Sequence, residues 1–373
     1  MSFKKEDRHC IVILGMEEQG LALLQCMYKT HRFVHFFVDK RRPTHAWESS
    51  RMGVRHYFSN LDELEQELDE LQRSFPDKLC VFISSANLLT DIRINRPQLY
   101  ESYHISSSPL HWIDLLTTKH RMYAYAAQCG IGVAPFCRLK DYQPCGLHFP
   151  LILKRDIEFV LSFKTKRVNT QEEMTAFVKG MPDNPEYVIV QEMVSPEAKD
   201  LSLHAYVHNG VILGSVAFEE VRHYPTGISS YMEEMPAEIS ELLHLEAKKL
   251  LGQTDYCGFV QIDFKYLPDG RAIIMDVNTR TPGSHSAFHC KFSNWKNFYA
   301  GLPDNPVKLI PRKKRVHWIN FVRDFVGTKA KGQMFQTFKD MFGAHWDVFD
   351  WNDIRPFFKT FLLILEQAKC KNQ

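Results

Sequence analysis

The 373-residue chain is 45% hydrophobic and 24% charged, the composition of a soluble globular protein with room for two or three domains or subdomains. Its formal net charge of +2 excludes a general electrostatic attraction to nucleic acid or to a membrane surface. The nine cysteines form no CxxC pair, Met1-Ser-Phe-Lys-Lys5 does not read as a signal peptide, and no apolar run approaches the ~20 residues that span a bilayer. A transmembrane segment and a disulfide framework are therefore not expected, and reduced thiols in the cytoplasm are.

The N-terminal third alternates strands and helices. Cys10–Leu14 is a short β-rich run ending at Gly15, Leu21–Tyr28 has helical spacing, and Phe33–Val38 is a second strand ending at Asp39. Leu61–Leu71 is amphipathic, with apolar residues at 61, 64, 68 and 71, and Leu79–Ile83 is a third strand. This order predicts a parallel sheet covered on both faces. Strand, glycine and helix together invite a dinucleotide reading with Asp39 as the ribose acid. Gly15–Gly20 lacks the middle glycine of GxGxxG and carries Glu17 and Glu18 where phosphate would approach, so the turn is read as structural.

Further on, Thr117-Thr-Lys119 opens a helix over Met122–Cys129 that closes at Gly130. Phe149–Lys154 is a strand ending in an isolated lysine, and Tyr187–Val194 is another, followed by an irregular link from Ser195 to Asp200. Leu201–His208 and Val211–Phe218 are strands joined by Asn209-Gly210, a strong hairpin signal. For Lys119 and Lys154, a solvated surface cation is the competing reading.

The richest segment is 258–280. Two alternating runs flank Pro268-Asp269-Gly270, and a turn centred between Asp269 and Gly270 sets Asp263 opposite Asp276 and Gln261 opposite Asn278. Gln261, Asp263, Lys265, Asp276 and Asn278 then share one face, while Val260, Ile262, Phe264, Ile273, Met275 and Val277 face the core. Directly opposed carboxylates lie ~4.5–5.5 Å apart at Cβ and repel; a divalent cation between them reverses the sign. An all-oxygen set with an adjacent amide suits Mg²⁺ or Mn²⁺. A solvated face paired with Lys265 and Arg280 is the alternative. Ser284 with His285 reads as loop or substrate-contact residues, and spacing offers no triad and no soft-metal cluster.

Together, Thr-Lys119-His, Phe-Pro-Leu-Ile-Leu-Lys154, Val-Gln-Glu192-Met-Val, Gly-Phe-Val-Gln-Ile-Asp263 and Met-Asp276-Val-Asn278-Thr-Arg280 resemble the ATP-grasp superfamily, nearest to D-aspartate-ligase-like and polysaccharide-cluster carboxylate–amine ligases. The resemblance implies an N-terminal Rossmann-like α/β domain (1–107), ATP-grasp lobes at 108–186 and 187–305, and a mainly helical C-terminal segment at 306–373 that packs as an appendage or supports a homo-oligomer. It implies that Lys119 and Lys154 reach the α- and β-phosphates of ATP. Gln191, Glu192 and Val194 would belong to the linker reading adenine, with Asp200 on the ribose. Asp263, Asp276 and Asn278 would hold Mg²⁺ against the β,γ-phosphates, Arg280 would stabilise the reacting carbonyl, and Arg222 would clamp phosphate or carboxylate from the loop after the hairpin.

The implied activity is amide formation through an acyl phosphate, with small-molecule carboxylate and amine substrates, an amino-acid or amino-sugar acceptor, and ADP and phosphate released. A biotin-carboxylase or carbamoyl-phosphate-like enzyme and a non-catalytic nucleotide-binding regulator are the alternatives. Three departures stand out. Arg155–Thr165 has no glycine where the family's phosphate loop is glycine-rich, so Ser162, Lys164 or Lys166 would have to substitute. Both metal acids are aspartates where glutamate is common, and Asn87 stands where relatives often carry aspartate. The apolar stretch Phe357–Leu365 reads as a buried helix, with contact to a membrane surface as the alternative.

Overall fold

The alternating N-terminal runs pair side by side. In the computed structural model, which describes residues 4–42, 50–76, 78–106, 108–144, 146–157, 163, 165–180 and 185–370, β1 (Glu6–Leu14), β2 (His31–Asp39), β3 (Val54–Phe58) and β4 (Leu79–Ile83) form a parallel sheet in the order β3-β2-β1-β4. Side chains alternate along β1. Ile11 and Ile13 pack with Leu23 and Leu24 of the helix Glu18–Thr30, while Cys10, Val12 and Leu14 pack with Leu64, Leu68 and Leu71 of the helix Leu61–Ser74. The second helix is capped at its start: Asn60 accepts from the Glu63 amide, and Glu63 accepts from the Ser59 amide. The glycines after β1 serve close packing. A Cβ on Gly15 would fall 2.4 Å from Ser85 Cβ and one on Gly20 2.1 Å from the Gly15 carbonyl oxygen, and the Ser85 hydroxyl donates to Glu17 at 2.6 Å.

A second, antiparallel sheet has the order β5-β8-β6-β7, built from β5 (Phe136–Arg138), β6 (Leu151–Arg155), β7 (Thr165–Val168) and β8 (Val188–Glu192). The third runs β13-β12-β9-β10-β11-β14-β15, from β9 (Lys199–His208), β10 (Val211–His223), β11 (Ser229–Glu234), β12 (Gly258–Tyr266), β13 (Ala272–Asn278), β14 (His317–Ile319) and β15 (His345–Trp346). Asn209 and Gly210 take φ of 49° and 74° between β9 and β10, the positive values their hairpin turn demands. Because β8 pairs with β5 and β6, we draw the boundary between the two lobes in the link 193–198. The C-terminal segment carries the helices Phe321–Ala330, Met334–Met341 and Arg355–Cys370 and also donates β14 and β15 to the large sheet. Over residues 355–363 the last helix is only partly buried, with Phe358 and Leu362 more than half exposed. Among the described residues no helix is long and apolar enough to cross a membrane.

The β12–β13 hairpin keeps the expected register at the acids and loses it near the turn. Gln261 pairs with Asn278 and Asp263 with Asp276, but Phe264, Lys265 and Tyr266 pair with Ile274, Ile273 and Ala272. The turn is closed by the Gly270 amide donating to the Leu267 carbonyl, with Gly270 at φ 89°, which centres it on Asp269 and shifts the register by one. A bulge at Met275 restores it. Ile274 and Ala272, with Val277, therefore enter the core, while Met275, expected there, is only partly buried and lines a cavity. Ile274→Ala should cost about 2–5 kcal/mol in urea unfolding, and Met275→Asp should leave a folded protein. Equal destabilisation by the two would refute the bulge.

Candidate active site

Two lysines, two aspartates and a glutamate converge where the lobes meet. Lys119 is the first residue of the helix Lys119–Gln128, whose start is fixed by the turn after β6: the Lys119 amide donates to the Asp156 carbonyl at 2.9 Å, and Asp156 Oδ1 accepts from the His120 amide at 2.8 Å. Lys154, on β6, is thereby brought near Lys119. Its Nζ lies 2.7 Å from Gln191 Oε1 on β8 and 3.4 Å from the Tyr123 hydroxyl. Tyr123 in turn donates to the Met275 carbonyl at 2.8 Å, which ties this helix to the hairpin bulge.

Asp276 accepts from Lys119 Nζ at 2.8 Å, and a third of its side chain opens onto the cleft. Asp263 accepts from Gln261 Nε2 at 2.8 Å and from Asn278 Nδ2 at 3.5 Å, and Arg280 Nη2 donates to Asn278 Oδ1 at 3.3 Å. Two cavities share this row. One, of about 600 Å³, is lined by Lys119, Lys154, Thr165, Asp200 and Met275. The other, of about 420 Å³, is lined by Glu18 and Ala86 of the N-terminal domain and by Arg155, Arg280, Ser284 and Trp318. Asp263, Asp276 and Glu220 border both.

Desolvation pushes both hairpin carboxyls upward. On Asp276 the charges of Lys119 and Lys154 and the Lys119 hydrogen bond outweigh it, and the group stays below the usual carboxylate value. On Asp263 the charges of Glu220 and Asp276 add to desolvation, and the group rises well above it. Burial, then the neighbouring Lys119 charge, brings Lys154 down to about 8. One acid is thus neutralised by a lysine while its partner is left with uncompensated negative neighbours, an oxygen-donor arrangement that fits a hard divalent cation.

The other expected residues divide. Asp200 lines the larger cavity with its carboxylate 2.6 Å from Lys265 Nζ. Gln191 reaches the site through Lys154, whereas Glu192 accepts from the amide and ring of His148 and, like Val194, does not line the cavity. Arg222 lines the larger cavity, but it lies within β10 and not on the expected loop, and it braces the C-terminal helices. Its Nε and Nη2 donate to Asp324, each at 2.9 Å, and its Nη1 to Asp340 at 2.7 Å. Ser162 and Lys164 lie outside the described residues, and Thr165, not Lys166, lines the cavity. Asn87 is the second residue of the helix Ala86–Asn95, not a loop residue, and its neighbour Ala86 reaches the smaller cavity. Ser284 and His285 part company, Ser284 facing His204 Nε2 at 3.5 Å and His285 the Tyr299 hydroxyl at 2.6 Å. Sequence reasoning missed Glu220, Arg155, Glu18 and Tyr123. Arg155 directly follows Lys154 and Glu220 lies two residues before Arg222, so only their spatial convergence was hidden.

No protein-family profile and no curated protein matches the chain. Solved structures do. An N5-carboxyaminoimidazole ribonucleotide synthetase in complex with ADP superposes with a TM-score of 0.66 at 14% identity, covering 89% of this chain and 87% of its own. The biotin carboxylase domain of the Hydrogenobacter thermophilus 2-oxoglutarate carboxylase, with MgADP and bicarbonate, gives 0.63 at 12% identity over 82% and 73%. The L-amino acid ligase of Bacillus licheniformis gives 0.60 at 13% over 83% and 76%. The chain has the ATP-grasp fold.

The raised Asp263 carboxyl makes a signed prediction for the metal-free protein. A group whose folded-state pKa is raised contributes stability that is fully present below its unfolded value and is lost as pH rises through the folded one. In chelator-treated protein, Asp263→Asn should therefore leave the melting temperature nearly unchanged at about pH 3.5, below the ordinary aspartate value, and raise it increasingly as the pH climbs above about 4. A variant that is less stable at the higher pH would show that Asp263 is held by a favourable partner.

Proposed function

We propose that the chain is an ATP-dependent carboxylate–amine ligase that forms an amide through an acyl phosphate and releases ADP and phosphate. One observation carries this reading: the Asp263–Asp276 pair forms the shared wall between a lysine-lined cavity and an arginine-lined one. A nucleotide in the first cavity directs its terminal phosphate toward a carboxylate in the second. Lys119 and Lys154 supply point charges to the phosphates, Met275 offers an apolar surface on the same wall, and Asp200 is available to a ribose hydroxyl. Asp263, Asp276 and Asn278 would hold Mg²⁺, which when bound neutralises charge on the phosphates.

Lys119 trades its Asp276 partner for phosphate, so the ion pair of the free protein preorganises the lysine. In the smaller cavity Arg280 and Arg155 fix the carboxylate, and Arg280 stabilises the oxyanion that develops as the amine attacks. Glu18 and Glu220 border the same space and suit an ammonium or hydroxyl-bearing acceptor, an amino acid or amino sugar. No nucleophilic side chain is needed. A second reading, with bicarbonate as the acid, is favoured by the bicarbonate bound in the biotin carboxylase neighbour.

Release of ADP, measured across a panel of carboxylates and amines with Mg²⁺, tests both readings. Dependence on an acid and an amine together is expected; stimulation by bicarbonate without an amine would move the assignment to carboxylation, and no substrate-dependent release would overturn the ligase. Asp276→Asn should lower turnover by about 100-fold or more with circular dichroism unchanged, and Arg280→Met should lower kcat with little effect on the KM for ATP.

A further inference from the structure

His289, Cys290 and His345 come together although 55 residues separate Cys290 from His345. His289 and Cys290 lie in the last turns of the helix His285–Lys291, which follows the hairpin, and His345 begins β15 in the C-terminal segment. Cys290 Sγ is 3.6 Å from His289 Nε2 and 3.3 Å from His345 Nδ1, one donor atom from each residue lies within 4.8 Å of the others, and the two imidazoles stand edge to face at 5.6 Å. Among the described residues this is the one group of three such donors. Their spacing in the sequence does not reveal the cluster.

We propose that these three side chains form a Zn²⁺ site, separate from the hairpin acids, that pins β15 to the helix after Arg280. The donor set is the reason for the metal. Thiolate with imidazole selects a borderline-soft cation over Mg²⁺. Tetrahedral Zn²⁺ with Zn–S of ~2.3 Å and Zn–N of ~2.0–2.1 Å sets sulfur and nitrogen ~3.6 Å apart, close to the separations found here, so little rearrangement is needed. The Trp295 ring packs 5.2 Å from the His289 imidazole and shields that side of the group. Two cations lie nearby, Arg312 and Lys29, and the Lys29 ammonium is taken by Asp350, which lessens its repulsion of an incoming ion. All three ligands keep partial exposure, so water completes the fourth position. Binding releases the Cys290 thiol proton to solvent. The site would couple metal occupancy to the docking of β15, the edge strand of the large sheet, and through β14 to β11 further in.

The test uses the full chain, stripped with a chelator and titrated with Zn²⁺ against a chromogenic competitor, and separately with Co²⁺. One tight equivalent of Zn²⁺, a rise in melting temperature on Zn²⁺ addition, and a thiolate-to-cobalt charge-transfer band are expected. Cys290→Ser and His345→Gln should each weaken Zn²⁺ binding by at least about 100-fold, the upper end of what losing an outer-shell partner costs. Asp276→Asn should retain the band, since carboxylates give none. Absence of a tight equivalent in the wild-type protein, unchanged affinity in the two variants, or loss of the band in Asp276→Asn would overturn the site. The wild-type cobalt spectrum decides the matter even if both ligand variants fail to fold. None of these readouts depends on ATP turnover, so failure here leaves the ligase reading standing and the converse also holds.

Discussion

The organising constraint is the repulsion between two carboxylates fixed in register on neighbouring strands. Asp263 and Asp276 cannot be separated without slipping the hairpin, and slipping it would turn Val260, Ile262 and Val277 out of the core. The core therefore holds the charges together against their own interaction. Lys119 relieves half of the problem by pairing with Asp276. Glu220 worsens the other half by adding negative charge beside Asp263. A site built this way would be stabilised by a divalent cation between the two acids.

The remaining parts keep that row addressable from two sides. Asp156 pins the helix carrying Lys119 to the strand carrying Lys154, and Tyr123 links that helix to the bulge beside Asp276. Both lysines and both acids are thus parts of one braced frame. On the far side the N-terminal domain closes the smaller cavity with Glu18 and Ala86, and Glu18 is in turn ion-paired to Arg323 from the C-terminal segment. The smaller cavity thus draws its walls from three regions that are distant in the chain.

What the sequence made legible follows from the range of the interactions. Asp263 opposite Asp276 was readable because alternation and a turn signal are local. The bulge was not, because Ile274 and Met275 are both apolar and only the turn geometry decides which enters the core. The helix Ala237–Leu251 was there to be read, with Ile239, Leu243, Ala247 and Leu250 at helical spacing. Strands as short as β14 and β15 carry too few residues for a period, so the C-terminal segment was read as mainly helical. Arg222 was placed on a loop because its neighbours Tyr224-Pro225 and Gly227 are turn residues, whereas β10 runs through to His223. The cavities, the Glu220 contribution and the His289–Cys290–His345 cluster depend on contacts between distant segments, which no local pattern encodes.

The central claim, that Asp263 and Asp276 jointly hold the metal of a bound nucleotide at the junction of the two cavities, is tested most directly by a crystal structure with a non-hydrolysable ATP analogue and Mn²⁺. Anomalous scattering would locate the ion. The account predicts Mn²⁺ ligated by both aspartates, with the phosphates beside Lys119 and Lys154. An ordered nucleotide whose metal touches neither aspartate, or a nucleotide bound outside the lysine-lined cavity, would contradict it.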